Sequence, residues 1–264
     1  MSSGGRQPGD GSGQPRVLVH RDPEVLAGAV AARLITVLVD AQAEGRVPAI
    51  VLTGGGVART LHRAVRDFSG RDAVDWSRVD VWWGDERFVA LDDPERNEAQ
   101  AREDLLDSVA LDPDRVHAMA SSDGAFGDDV DAAARAYAEQ LAAADSVGAV
   151  GGASTPALFD VLMLGMGPDG HVASLFPEHA GLDETTPALA VRASPKPPPL
   201  RISMSFPTLA RARQAWFLVS GEAKASAVRQ ALGGADRSQI PAAGVQGQDQ
   251  TLWLLDAAAA NQLR

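Results

Sequence analysis

Short apolar runs rich in β-branched residues punctuate the chain. They read RVLVH (16–20), AIVLT (49–53), VDVWW (79–83), FDVLML (159–164), ALAV (188–191), AWFLVS (215–220) and TLWLLD (251–256). Several are continuous rather than alternating, the pattern of strands covered on both faces. Between them the apolar spacing becomes helical. Asp22-Pro23 has the form of an N-cap followed by the first helical position, and Val30, Leu34, Val37 and Leu38 then share one face. Val57, Leu61, Val65 and Phe68 do the same in a second segment, and Val130, Ala134, Tyr137 and Leu141 in a third. Strands alternating with helices predict an α/β domain with a mostly parallel central sheet and helices on both faces.

No internal repeat or domain boundary interrupts residues 16–264, which are expected to form a single domain. Residues 1–15, MSSGGRQPGDGSGQP, bury too little to offset their ordering entropy and are expected to be a disordered tail. They lack the apolar stretch of a signal peptide. DSVGAVGGASTP (145–156) is expected to be a flexible loop. SPKPPPLR (194–201) is too proline-rich for a helix or strand and is read as a connector in preference to a loop at the site.

Composition narrows the chemistry. The 264 residues are 45% hydrophobic, enough for a well-buried core. A net charge of −11 argues against nucleic acid or an anionic membrane as partner. A small anionic substrate would need a local cluster of Arg, Lys or backbone N–H groups. The absence of cysteine excludes disulfides, thiolate nucleophiles and cysteine–zinc sites, and fits a cytoplasmic protein. No apolar run approaches the ~18–20 residues that span a bilayer.

Ligands of open α/β sheets bind beyond the carboxyl ends of the strands, which directs attention to the loops after residues 53, 83, 164 and 220. In the first, Thr53 precedes Gly54, Gly55 and Gly56 at the start of a helix, where bare N–H groups and the helix dipole favour an anion. The bland alternative is a tight turn. It is not a Walker loop, since no Gly-Lys-Ser/Thr follows. In the second, Asp85, Glu86 and Arg87 are either a solvated loop or substrate contacts, and Arg87 is the guanidinium an anionic substrate would call for.

The third loop, LGMGPDGHVASLFPEH (164–179), has the literal form of a dinucleotide fingerprint at 165–170. Pro168 removes a donor, Asp169 places a negative charge where a pyrophosphate would lie, and ALAV ends in Arg192 where an acidic residue is required. What remains is Gly165 and Gly167 permitting close backbone approach, with Asp169 and His171 presented together as a general-base pair. Glu178 and His179 together with His171 match no common ligand spacing, so no metal is expected. In the fourth, Lys224 falls in the first turn of a helix, unfavourable for the dipole unless an anion sits there. Arg201, opening the apolar segment RISMSF, is a second phosphate candidate.

Taken together, these motifs resemble the 6-phosphogluconolactonase family, the lactonase branch of the glucosamine/galactosamine-6-phosphate isomerase superfamily. The resemblance runs from about residue 16 to about residue 260. GMGPDGHVASLFP is its most specific piece, supported by GDERFV with a downstream RN, RISMSFPTL and GEAKA. It implies a Rossmann-like three-layer α/β/α fold and hydrolysis of 6-phospho-D-glucono-1,5-lactone in the oxidative pentose phosphate pathway. It implies no required cofactor; the expected partner is a small sugar-phosphate lactone, and the expected state a monomer or weak homo-oligomer. By similarity His171 is the general base with Asp169 beside it, Arg87 contacts the substrate, and Gly54, Gly55, Arg201 and Lys224 gather the phosphate. One departure stands out. Gly56-Val57 replaces the Ser or Ser/Thr-Pro of many relatives, so a hydroxyl ligand is lost or Thr53 supplies it. The deaminases of the superfamily continue from DGH into a Phe-Asn-Glu-Pro segment, whereas ASLFPEH here has no carboxylate in that slot. A non-catalytic sugar-phosphate binder would need the phosphate cluster without Asp169 and His171.

Overall fold

The computed structural model describes residues 14–148 and 157–263. Its first helix begins where the sequence supplies a cap: the Asp22 carboxylate accepts the Val25 N–H at 2.7 Å, and Pro23 occupies the first turn. In chain order the elements are Arg16–His20 (β1), Pro23–Ala43 (α1), Ala49–Leu52 (β2), Gly56–Arg66 (α2), Asp80–Trp83 (β3), Asp85–Arg87 (β4), Asn97–Asp104 (α3) and Val116–His117 (β5). There follow Val130–Gly148 (α4), Phe159–Gly165 (β6), Ala188–Val191 (β7), Arg201–Met204 (β8), Phe206–Leu209 (α5), Ala212–Val219 (β9), Ala225–Leu232 (α6) and Gln250–Asp256 (β10). The expected loop at 145–156 is corrected in its first part, because α4 continues to Gly148; residues 149–156 lie outside the described residues. So do residues 1–13 of the expected tail.

Seven parallel strands form the central sheet in the order β1-β10-β9-β6-β2-β3-β5. From β2 the chain steps outward through β3 to β5. From β6 it steps the opposite way through β9 to β10. The reversal lies between neighbours β2 and β6, where a crevice opens beyond the strand ends. The inner strands are buried on both faces, with Trp83, Trp216 and Phe217 fully enclosed, while the edge strand β1 leaves Val17 and Val19 exposed. Trp82 stacks on His117 at 3.8 Å between ring centroids, and Phe217 on Trp253 at 4.1 Å.

A second, antiparallel sheet has the order β4-β8-β7. The ALAV strand (β7) forms, but here rather than in the central sheet. Asp85–Arg87 is therefore a strand and not a solvated loop: Asp85 is 6% exposed and Glu86 1%. Charged residues run in this strand because each carboxylate has a fixed partner. Gly84 is the corner between the sheets. Its N–H donates to Leu52 O on β2 at 3.1 Å, and its carbonyl accepts the Met204 N–H of β8 at 2.8 Å.

Helix α4 packs against β7 and β8 and sends Tyr137 to the end of β3. The Tyr137 hydroxyl donates to Trp83 O at 3.0 Å and accepts the Trp83 N–H at 3.1 Å. Both bonds are buried. Tyr137→Phe is expected to lower the unfolding free energy by about 1–3 kcal/mol, the cost of two buried backbone groups left without a partner. Urea denaturation with an unchanged m-value checks this; an unchanged midpoint would contradict the clamp.

Candidate active site

A cleft of 290 Å³ opens over the carboxyl ends of β2, β3, β6 and β9. It brings together Thr53, Gly54, Gly55, Gly56, Asp85, Arg87, Asn97, Gly165, Gly167, His171, Lys196, Arg201 and Lys224. A larger hollow of 620 Å³ along α4 is lined by Ala134, Ala138 and Ala142 and holds none of the glycine-loop, Asp169 or His171 groups.

The glycine loop turns sharply from β2 into α2, with Gly55 at φ +91°. Gly54 is needed for a different reason. A Cβ there would fall 1.8 Å from Asn97 Oδ1. Asn97 Nδ2 donates to Asp85 O at 2.9 Å, which orients the amide and leaves Oδ1 buried without a partner. Thr53 Oγ1 accepts the Gly165 N–H at 3.1 Å and ties the ends of β2 and β6 together. Its hydroxyl proton is still free to donate.

The carboxylates of β4 point into the protein. Asp85 Oδ2 accepts the Ser174 hydroxyl at 2.7 Å and lies 3.9 Å from Arg201 Nη1. Glu86 accepts N–H groups from Arg87 (2.7 Å), Asn97 (2.7 Å) and Glu98 (2.9 Å). Burial pushes its carboxyl up to about 7, against the pull of Arg96 and those three donors. The expectation that Glu86 contacts substrate is thus corrected: it is fully engaged in fastening the start of α3 and lines no part of the cleft. Arg87 does line it, with Nη1 donating to Glu95 O and a buried Nε that has no partner.

Between β6 and His171 the backbone closes on itself: Gly167 N–H donates to His171 O at 3.1 Å, and Gly170 N–H to Gly167 O at 3.0 Å. A Cβ at Gly167 would lie 2.2 Å from the His171 ring and 2.3 Å from Asp169 Oδ1, so only glycine lets both side chains fold over this turn. They meet there, with His171 Nδ1 2.5 Å from Asp169 Oδ1. Burial raises the Asp169 carboxyl, but the hydrogen bond and charge of His171 and the ammonium of Lys196 outweigh it and hold the group at about 2. With Nδ1 bound to the carboxylate, Nε2 is the nitrogen left to take a proton. The imidazole rests on Phe176, ring centroids 4.6 Å apart.

The cations come from two further loops. Lys224 follows β9, where Asp256 accepts the Ser220 hydroxyl at 2.6 Å and the Gly221 N–H at 3.1 Å. Its ammonium has no hydrogen bond or ion pair among the described residues. Burial lowers its pKa first, Lys196 lowers it further, and Asp256 opposes both. Arg201, 6% exposed at the side chain, donates through Nε to Pro198 O (3.2 Å) and through Nη2 to Lys196 O and Pro197 O (3.1 Å each). These bonds draw residues 194–201 over the cleft. The connector reading of that segment is corrected, since Lys196 and Pro197 line the site. Lys196 Nζ stands 3.4 Å from His171 Nδ1 and 3.7 Å from Asp169 Oδ1.

Lys196 and Asn97 are the site residues that sequence reasoning missed. The only signal for Lys196 was a lysine within a proline run. Elsewhere, His179 is engaged locally: Nδ1 accepts the Gly181 N–H and Nε2 donates to Arg192 O, each at 3.1 Å. Among the described residues no group of three or more His, Asp or Glu side chains is placed to hold a metal ion.

The family model for glucosamine-6-phosphate isomerases/6-phosphogluconolactonase matches residues 21–253. The chain is 56% identical over 253 residues to a 6-phosphogluconolactonase of Streptomyces coelicolor, covering 96% of each. It is 48% identical over 247 residues to one from Mycobacterium tuberculosis, covering 93% of this chain and 97% of the relative. A solved 6-phosphogluconolactonase from Trypanosoma brucei superposes with a TM-score of 0.76 at 27% identity, over 95% of this chain and 99% of that one.

The Gly54–Asn97 contact makes a direct test of the cleft. Gly54→Ala is expected to fold, because the methyl displaces one side chain and no backbone, yet to break the Asn97–Asp85 bond and distort the glycine loop. Ligand affinity should fall at least tenfold while the thermal midpoint drops only a few degrees. Wild-type affinity in a folded variant would show that the loop tolerates the displacement.

Proposed function

The chain belongs to the glucosamine-6-phosphate isomerase/6-phosphogluconolactonase family, and on that premise we propose that it hydrolyses 6-phospho-D-glucono-1,5-lactone to 6-phospho-D-gluconate in the oxidative pentose phosphate pathway. The observation that carries the reading is the Asp169–His171 contact at 2.5 Å, made at a cleft that also gathers the glycine loop and the cations Arg87, Lys196, Arg201 and Lys224. Such a pair activates water, and the surroundings suit a phosphorylated, uncharged ring.

The phosphate docks on the Gly54–Gly56 loop at the start of α2, with Lys224 and the remaining donor of Arg201. Thr53 supplies the hydroxyl that Gly56 lacks. This anchoring sets C1 against His171. Nε2 of the neutral imidazole takes a proton from water as the water oxygen bonds to C1. The ionised Asp169 fixes the tautomer and stabilises the imidazolium that forms. The C1–ring-oxygen bond then breaks, and His171 returns the proton to the ring oxygen. The lactone is an activated ester that opens unaided, so positioning plus one general base, worth roughly 10²–10⁴-fold, suffices. No step calls for a metal or an organic cofactor. Every group named comes from one chain, so a monomer or weak homo-oligomer is competent. The acidic surface and the absence of cysteine fit a cytoplasmic enzyme acting on a small molecule. Among the described residues no helix is long and apolar enough to cross a membrane.

His171→Asn is expected to keep the fold and most of the phosphate binding. It should lower kcat by roughly 10²-fold or more and abolish the acidic limb of the rate–pH profile, after the spontaneous reaction is subtracted. A folded variant with wild-type kcat and the same limb would remove His171 as the base. Asp169, held at about 2, stays ionised throughout that range and contributes no limb of its own. Lys224→Ala should act mainly on KM, since a charged hydrogen bond is worth ~1.5–3 kcal/mol. Glucosamine 6-phosphate should release no ammonia; release at a rate comparable to lactone opening would assign the chain to the deaminase branch.

A further inference from the structure

Hydrolysis of a lactone creates negative charge twice at C1: on the carbonyl oxygen in the tetrahedral intermediate, and on the carboxylate of the product. A cation next to the general base is the group placed to meet both. Lys196 holds that position, 3.4 Å from His171 Nδ1. Its distance of 3.7 Å to Asp169 is too long for a hydrogen bond, and the carboxylate oxygen it faces is already bonded to His171. With the Nδ1 proton directed at Asp169, Nδ1 offers Lys196 no lone pair either, so the ammonium protons can turn toward a ligand.

The backbone beneath Lys196 is held on every side. Arg201 grips the carbonyls of Lys196, Pro197 and Pro198. The Ser194 hydroxyl donates to Lys196 O at 2.8 Å and accepts the Lys196 N–H at 3.2 Å. The side chain, by contrast, is 41% exposed, a flexible four-carbon stem on a fixed base. The other cations have different engagements. Arg87 gives Nη1 to Glu95 O, Arg201 binds the loop, and Lys224, at the start of α6, is assigned to the phosphate. Lys196 and Lys224 share one cleft, close enough to repel. A substrate with a phosphate at one end and a developing oxyanion at the other answers both charges.

Resting on the lactonase reading above, we propose that Lys196 is a catalytic residue that hydrogen-bonds the oxygen at C1, first as the oxyanion and then as the product carboxylate. In the addition step the water oxygen bonds to C1, its proton goes to His171, and the carbonyl π pair moves onto the oxygen facing Lys196. In the collapse step that pair re-forms the carbonyl, the C1–ring-oxygen bond breaks, and His171 protonates the ring oxygen. The acid then loses its proton to solvent as a carboxylate. Lys196 donates throughout and is itself unchanged. Because the charge is absent from the bound lactone, the contact acts on kcat.

Two ligands with the same phosphate but different C1 groups test this: 6-phosphogluconate, with a carboxylate, and glucitol 6-phosphate, with a neutral hydroxymethyl. Calorimetry on wild type, Lys196→Met and Lys224→Met is compared with kcat and KM for the lactone, each variant first checked by thermal melting. Lys196→Met is expected to weaken 6-phosphogluconate at least tenfold and leave glucitol 6-phosphate within twofold. It should lower kcat by roughly 10²-fold with little change in KM, and Lys196→Arg should recover part of it. Lys224→Met should weaken both ligands alike. Equal losses for both ligands in Lys196→Met would move Lys196 to the phosphate and overturn the proposal, as would no loss for either. A wild-type protein that binds neither ligand and leaves the spontaneous rate unchanged would instead sink the lactonase reading, and the Lys196 assignment with it.

Discussion

Strands buried on both faces cannot end freely, because their last N–H and C=O groups still need partners once the ladder stops. The inner strands of the central sheet meet that constraint in different ways. Thr53 takes the Gly165 N–H at the junction of β2 and β6. Tyr137 closes both polar groups of Trp83 at the end of β3. Asp256 takes Ser220 and the Gly221 N–H beyond β9. Gly84 links the two sheets through its own peptide. These terminations stiffen the rim of the crevice, so the loops that leave it start from fixed points.

The same economy of partners sorts the charges. The carboxylates at the rim serve the scaffold: Asp85 is bound by Ser174, and Glu86 by three backbone N–H groups. The cations in front of them keep donors to spare. Arg201 belongs to both sets, since it anchors the loop of Lys196 while Nη1 faces Asp85 at a loose 3.9 Å. Asp169 is the exception among the acids. It sits on a turn that only glycine at 167 permits, and its partner is the imidazole itself.

What could be read from the sequence follows from this division. Continuous apolar runs announced the central strands, and Asp22-Pro23 announced the start of α1, because burial and capping act on local composition. GMGPDGH was legible because its glycines and its Asp-x-His spacing lie within one turn. The second sheet was obscure. DER in β4 reads as solvent-exposed until β8 and Ser174 are seen to cover it, and RISM in β8 is short and interrupted. ALAV looked like any buried strand, and nothing in its four residues says which sheet it joins. Lys196 was hidden for a related reason: its place beside His171, 25 residues away, depends on three bonds from Arg201 that no local pattern encodes. Glu86 misled in the opposite direction, a carboxylate next to a site arginine whose work is structural.

The molecule carries −11 overall, yet its cleft gathers Arg87, Lys196, Arg201 and Lys224. The two facts are compatible because they operate at different ranges. At physiological salt the charges of the outer surface are screened beyond about 8 Å, so a small phosphorylated sugar meets little repulsion on approach. Inside the cleft the ammonium and guanidinium groups are partly desolvated, and screening there is weak. Desolvation is also what disfavours leaving Lys224 charged and unpaired, since burial and Lys196 both lower its pKa. A dianionic phosphate docked as proposed relieves that strain on entry. On the proposed reading, binding energy is concentrated at the end of the substrate that does not react and turns the lactone carbon toward the Asp169–His171 pair, where chemistry needs orientation more than affinity.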